Sequence, residues 1–346
     1  MRERGYGSRV MRSLKILRYS ADRRTLAVIG GWYGLLALQW NWDDKPVWVT
    51  VLLLALTCAG AFLGAVSTHN AIHSPVFQAR WMNNLWQLVL TCTYGHPVTA
   101  YMPGHNLSHH RHTETRRDAM RTSKARFGWN LLNLLFFAVV VSRSIMRAEW
   151  SYVRFALHRR PRLARQFMLE MAVWLGFMAV LFFFNWKKTL LFVIVPHQYA
   201  AWGIITMNIL QHDGTDTDSG YNHSRNFVGK VINWFTFNNG YHAIHHLRPT
   251  LHWSLAPEYH AKYVVPRMDP RLDEPSLAAY LWRTYGLPGT RLRYDGKPVI
   301  PVDPGEDEEW FSKDGGTIPP TAGALTRAGT LRPRMDEPPP DLLPAH

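Results

Sequence analysis

"PVWVTVLLLALTCAGAFLGAVSTHNAIH", from Pro46 to His73, contains no charged residue and then sets His69 and His73 four positions apart at its end. An apolar run of about 20 residues is what a helix needs to cross the hydrocarbon of a bilayer. On a helical continuation of that run, residues four apart share one face, with Cβ atoms about 5 to 6 Å apart. The stretch therefore decides the fold class and raises a chemical question: what do imidazoles hold at the end of a membrane span?

Three further runs have the same character: "TLAVIGGWYGLLALQW" (Thr25 to Trp40), "MLEMAVWLGFMAVLFFFNW" (Met168 to Trp186) and "TLLFVIVPHQYAAWGIITMNIL" (Thr189 to Leu210). These predict four spans in two hairpins. The mean hydropathy of -0.18 is no objection, because it averages the apolar runs with a basic amino end, a polar middle and a Pro-rich tail. Lys and Arg collect on cytoplasmic flanks. Arg2, Arg4, Arg9, Arg12, Lys15, Arg18, Arg23 and Arg24 precede the first run, and Arg residues from Arg111 to Arg165 crowd the central loop, whereas the turns "NWDDKP" and "NWKK" hold few. Both termini and the central loop are thus expected in the cytoplasm, at the inner membrane if the protein is bacterial.

The runs "NNLWQLVLTCTYG" (Asn83 to Gly95) and "WNLLNLLFFAVVV" (Trp129 to Val141) are short for crossings and are expected to lie in the interface. Residues 1–25 read as a basic cytoplasmic segment, residues 26–299 as the membrane domain, and residues 300–346, acidic and Pro-rich, as a tail expected to be disordered. Bulky Trp40 and Trp42 close the first run where a cleaved leader would have small residues, so a retained segment is expected. The net charge of +14 sits beside membrane runs, where lipid headgroups are the nearer partner, and no nucleic-acid motif accompanies it. Cys58 and Cys92 are too few for a Cys-rich site, so any metal would be held by nitrogen and oxygen.

More than half of the 17 histidines fall in four groups: His69 and His73; His105, His109 and His110, with His112 close by; Asn208 and His212; and His242, His245 and His246. On α-helices, His69/His73, His105/His109, Asn208/His212 and His242/His245/His246 could each aim at a common point. Adjacent histidines diverge by about 100° and suit two neighbouring ions better than one. Nine imidazoles overfill a site of about four ligands, which points to a pair of transition ions. Imidazole alone does not choose the element. The lone residues His96, His197, His223, His252 and His260 read as hydrogen-bonding side chains. Asp118, Asp213, Asp216 and Asp218 lie near enough in sequence to orient ligand rings, although loop carboxylates are more commonly solvated.

The set H-x-x-x-H, H-x-x-x-H-H, N-x-x-x-H and H-x-x-H-H resembles the membrane-bound fatty acid desaturase superfamily. So do the surroundings of the first box, "HNAIHSPVFQARWMNN", and of the last, "YHAIHHLRPTLHWSLAPEYH". The likeness covers roughly Leu26 to Pro266. It implies an all-α integral membrane fold: four transmembrane helices in two hairpins, interfacial helices, and a cytoplasmic helical cap carrying a histidine-rich di-metal site. The implied cofactor is two iron ions. One iron would take His69, His105, His110 and His246 or His245, with Asn208 acting through water. The other would take His73, His109, His212, His242 and the remaining member of the last pair.

The family's reaction implies oxygen-dependent oxidation of an unactivated C–H bond in a fatty acyl chain, most simply double-bond insertion. The second box has three residues between its first two histidines where many desaturases have two, a spacing shared with membrane alkane hydroxylases. Hydroxylation of an acyl chain or alkane, or oxidative formation of a terminal alkene, is therefore the alternative. No iron–sulfur or b-type cytochrome pattern is fused to the chain, so a separate ferredoxin, rubredoxin or cytochrome is the expected electron donor, and the Arg-rich face is a candidate docking surface for it. A metal transporter would instead line its spans with ionisable ligands; here most lie just beyond the span ends.

Overall fold

The computed structural model describes residues 16–300 and 303–311. The expected basic segment up to residue 15, and the tail beyond residue 311, lie outside the described residues. The chain is mostly helical: α1 (Asp22–Asn41), α2 (Val47–His73), α3 (Arg80–Tyr94), α4 (Val98–Met102), α5 (His110–His112), α6 (Asn130–Arg159), α7 (Pro161–Thr189), α8 (Val195–His212), α9 (Lys230–Phe235), α10 (His242–Leu247), α11 (Ala256–Tyr259) and α12 (Leu277–Tyr285). A short parallel pair joins β1 (Asn226–Phe227) to β2 (Asp273–Glu274). A π-helical segment, Pro103–His109, links α4 to α5, and Leu190–Ile194 links α7 to α8.

Among the described residues, three helical runs are long and apolar enough to cross a membrane: Val47–His73, Asn130–Arg159 and the continuous Pro161–His212. These runs differ from the four expected ones at two places. Asp22–Asn41 has the length but not the apolarity, since Asp22, Arg23, Arg24, Gln39 and Asn41 crowd its ends and Gly30, Gly31 and Gly34 dilute its middle. The run from Trp129 to Val141, expected to be interfacial because of its shortness, is the first part of a 30-residue helix that continues through Ile145, Met146, Trp150 and Val153.

The 52-residue run is not one straight rod. Within it, Asn185 leaves helical geometry (φ -161°, ψ 94°), and its side chain accepts from the backbone N–H of Lys188 at 3.0 Å. That is an N-cap, worth about 1 kcal/mol to the helix it starts. Glu170, before the break, accepts from the N–H and hydroxyl of Thr99 at 2.8 Å each, while His197, after it, donates to the carbonyl of Cys92 at 2.9 Å. A straight helix would separate Glu170 from His197 by about 40 Å at 1.5 Å per residue. Both instead meet the adjoining ends of α3 and α4, at Cys92 and Thr99, so the chain folds back at the "NWKK" turn.

Small residues let the helices approach. A Cβ on Gly60 would lie 2.9 Å from the Trp32 ring of α1, one on Gly64 2.7 Å from Thr93 of α3, and one on Gly203 of α8 2.7 Å from the Phe62 ring of α2. Gly60 and Gly64 form a G-x-x-x-G pair, the spacing by which membrane helices pack backbone to side chain. The amino half of α2 exposes Val47, Trp48, Val51, Leu52 and Leu56, while its carboxyl part, from Gly64 to His69, is enclosed by protein. The apolar end faces outward and the histidine end faces inward.

Three loops are closed by one device. Asn83 binds both backbone polar groups of Phe77 (2.9 and 2.8 Å), and Asn133 does the same for Phe127 (2.8 and 3.1 Å). Asn233 donates to the Phe227 carbonyl at 2.6 Å and accepts from the Gly240 N–H at 3.1 Å. Each Asn stands six residues after its Phe and satisfies backbone groups that the turn would otherwise bury unpaired.

One part of the tail expected to be disordered, residues 303–311, lies within the described residues. Residues 303–311 lie against the protein, with Trp310 buried on Tyr152.

Candidate metal centre

The four histidine groups converge at the carboxyl ends of α2 and α8. Their ring nitrogens form two sets: His69, His73, His105, His110 and His245 in one, and His109, His212, His242 and His246 in the other, with the candidate ligand atoms of each set within 4.8 Å of one another. His69, His105, His109, His110, His212, His242 and His246 are buried, and His73 and His245 are partly so. Among the described residues, His112, His96, His197, His223, His252 and His260 belong to neither set.

The partition differs from simple helical spacing at two points and from the ligand sets implied by the resemblance at a third. The π-helical segment brings residue i next to i+5, and the His110 N–H accordingly reaches the carbonyl of His105. His105 therefore faces His110, with Nε2 atoms 3.0 Å apart, while His109 turns to the other set. On α10, His242 pairs with His246, one full turn on, at 3.0 Å between Nε2 atoms, and His245 points the other way. His73 joins His69 rather than the set of His109. The adjacent pairs His109/His110 and His245/His246 are each divided between the sets, as 100° of rotation per residue requires.

The donor chemistry fits metal ions. His242 Nε2 lies 2.9 Å from His212 Nε2 and 3.0 Å from His246 Nε2. A neutral imidazole nitrogen carries either one hydrogen or one lone pair, so it cannot satisfy two such neighbours. Ligand nitrogens about 2.1 Å from a shared ion and at right angles to each other would be about 3.0 Å apart. Nε2 of His109, His73 and His245 likewise lacks a hydrogen-bond partner. Burial first, then repulsion among the rings, holds His105, His110, His242, His245 and His246 well below the ordinary imidazole range, in the neutral form that binds metal.

Outer contacts fix two tautomers. His109 Nδ1 donates to Asp118 Oδ2 at 2.9 Å, and His212 Nδ1 donates to the carbonyl of His223 at 3.0 Å, which turns each Nε2 lone pair inward. Of the four aspartates near the boxes, Asp118 has this role. Asp213 instead forms a two-pronged ion pair with Arg291 (2.9 and 2.7 Å), and Asp216 closes its own turn by accepting from Asp218 N–H. Burial alone would raise the Asp118 carboxyl. His109 and the N–H groups of Glu114 and Met120 outweigh burial and keep it below its ordinary range. Neighbouring Glu114 goes the other way, pushed up to about 8 by burial and then by Asp118.

Sequence reasoning passed over the residues that aim α10. Asn226 accepts from the Ala243 N–H at 2.8 Å and donates to Asp273 at 3.0 Å, tying the first turn of the helix that bears His242 to β2. Asn239 sets its amide 3.0 Å from His69 Nδ1. The recurring Phe-x5-Asn spacing was the available signal for Asn233. Nothing in the sequence singles out Asn226 or Asn239.

A cavity of about 30 Å³ touches both sets through His69, His105, His109 and His242. Its remaining wall combines Tyr101, Met120, Ile204, Ile205 and Met207 with Asn208, Gln211 and Asn239. Asn208 commits its amide N–H to the carbonyl of Met120 at 2.7 Å. On another side, a larger cavity of about 610 Å³ reaches His110 and His246 between Arg111, Arg248 and Tyr259.

No match to an individual curated protein accompanies this geometry. Residues 45–274, about two thirds of the chain and inclusive of every histidine in the two sets, match the family described as Fatty acid desaturase, and the chain belongs to that family.

Proposed function

We propose that the protein is a four-span membrane oxidase that desaturates fatty acyl chains at a pair of iron ions, with the histidine face in the cytoplasm. His69, His73, His105, His110 and His245 would hold one iron, and His109, His212, His242 and His246 the other, with Asn208 beside both. Bound there, the irons supply the oxygen-derived oxidising power that side chains lack. The observation that carries this reading is the small cavity shared by both histidine sets and walled by Ile204, Ile205 and Met207.

The chain's own residues then do three things. The apolar α8 wall receives a methylene and excludes bulk water. Asp118 and the His223 carbonyl keep His109 and His212 in the tautomers that present Nε2. Tyr101, stacked on His105 with ring centroids 5.4 Å apart, fixes that ring's plane at the cavity edge. Positioning of this kind selects between removing a second hydrogen and returning oxygen to the carbon. Electrons come from a separate carrier.

The test is product analysis. Membranes containing the protein, given acyl substrate, oxygen and a reduced ferredoxin system, should yield a chain two hydrogens lighter, identified by gas chromatography with mass spectrometry, and His109→Ala should yield none. Hydroxylated chains or terminal alkenes in its place would assign the other oxidative outcome.

A further inference from the structure

Residues 303–311, "DPGEDEEWF", lie as a strap across the basic surface beside the second histidine group. Arg121, only 2% exposed, gives one guanidinium nitrogen to Asp307 and another to the carbonyls of Pro304 and Gly305 at 2.9 Å each. Lys124 reaches the same Asp307 oxygen at 2.8 Å, and Arg117 faces Glu308 at 3.5 Å. The backbone of Glu308 donates to the Arg116 carbonyl at 2.9 Å. Beyond it Trp310 stacks on Tyr152, with centroids 5.6 Å apart, and Phe311 packs on Tyr152 and Phe155. The fit is close: a Cβ on Gly305, which has a positive φ, would lie 2.6 Å from the Arg116 guanidinium.

The ground beneath the strap leads inward. Arg121 also donates to the Asp118 carbonyl at 3.3 Å, and the Asp118 carboxylate holds His109 at 2.9 Å. Two buried residues thus connect Asp307 to a metal-set ring. Beside the strap, Arg143 and Arg147 stand one turn apart on α6, both exposed, around a cavity of about 680 Å³ that Glu306 and Asp307 border.

We infer that this basic face is the docking surface for an acidic electron-carrier protein, and that residues 303–311 occupy it as an internal stand-in which the carrier displaces. The inference rests on the proposed reading in needing an external reductant. Carboxylates and an aromatic pair are what an acidic carrier would present to Arg121, Lys124, Arg143 and Arg147. Because the strap already fills the site, the apparent affinity for the carrier is reduced by the fraction of time the site is open.

Binding of a purified acidic [2Fe–2S] ferredoxin to the detergent-solubilised full chain provides the test, with the chain truncated after residue 302, Gly305→Val to unseat the strap without touching its charges, and the pair Arg143→Glu and Arg147→Glu. The expected result is a dissociation constant about tenfold lower for the truncated and Gly305→Val proteins at low salt, a difference erased at high salt, and loss of binding in the double Arg variant. Equal ferredoxin affinity in the intact, truncated and Gly305→Val proteins would overturn the inference. So would a gain of affinity for phosphatidylglycerol vesicles with none for ferredoxin, which would make the face a lipid contact. Tightened ferredoxin binding without any oxidised acyl product would support the docking surface and refute the oxidase reading; product with unchanged binding would do the reverse.

Discussion

His105 and His110, five residues apart, bring their Nε2 atoms within 3.0 Å because the segment between them winds as a π-helix. An α-helical wind would have put His109 there and left His110 turned aside. One extra residue in the turn is what lets a single short helix serve both histidine sets.

Lengthening that turn is the first prediction. Inserting one alanine after Leu107 sets His110 six positions beyond His105, a spacing that neither an α-helical nor a π-helical turn closes, and takes His105 or His110 out of its set. Iron per protein, measured by plasma mass spectrometry, should fall to half or less, whereas Leu107→Ala should leave it unchanged.

Asp118→Asn should lower iron affinity and turnover by roughly 10- to 100-fold. The His109–Asp118 contact is buried on both sides, so the substitution trades a charged acceptor for an amide that can present its NH2 to the ring. Asp213→Asn, which breaks a contact to Arg291 instead, should cost stability with a smaller effect on iron content per folded protein. Chelator titration and thermal melting of the two variants separate the cases.

Acid should destabilise the metal-free protein early. His105, His110, His242, His245 and His246 have depressed pKa values when folded, so the unfolded chain binds more protons once the pH falls below its own imidazole value, near 6.5. Stability from these groups is complete above that pH and declines as pH drops through it. The melting temperature of chelator-treated protein should fall by at least about 5 °C between pH 7.5 and 5.5, and bound iron should blunt the decline. A flat profile would contradict the buried neutral cluster.

Gly64→Val puts a side chain where a Cβ already meets Thr93 at 2.7 Å. Overpacking of this kind costs about 1 to 3 kcal/mol. The strain enters the helix five residues before His69, so lower thermal stability and lower iron content are expected together, with Gly176→Val, which has open space around it, as the neutral control.

Much of this was legible in the sequence because it is written locally. His69 and His73 follow an apolar run directly, and the division of His109 from His110, and of His245 from His246, follows from helical rotation alone. What escaped depends on irregular backbone or on distant partners. Helical periodicity assumes 3.6 residues per turn and so mispaired His105 with His109. The length of α6 was missed because Arg143 and Arg147 interrupt its hydropathy while leaving its helix intact. Asp118 and Asp213 look alike in sequence, and only the fold gives one to His109 and the other to Arg291. Residues 303–311 have too few apolar side chains to build a core of their own; their order comes from Arg121 and Tyr152, far away in the chain.

The most direct test of the di-iron assignment is anomalous diffraction at the iron absorption edge from crystals of the iron-loaded protein. The account predicts two peaks, one enclosed by His69, His73, His105, His110 and His245 and one by His109, His212, His242 and His246. A single peak, or density lying outside these rings, would contradict it.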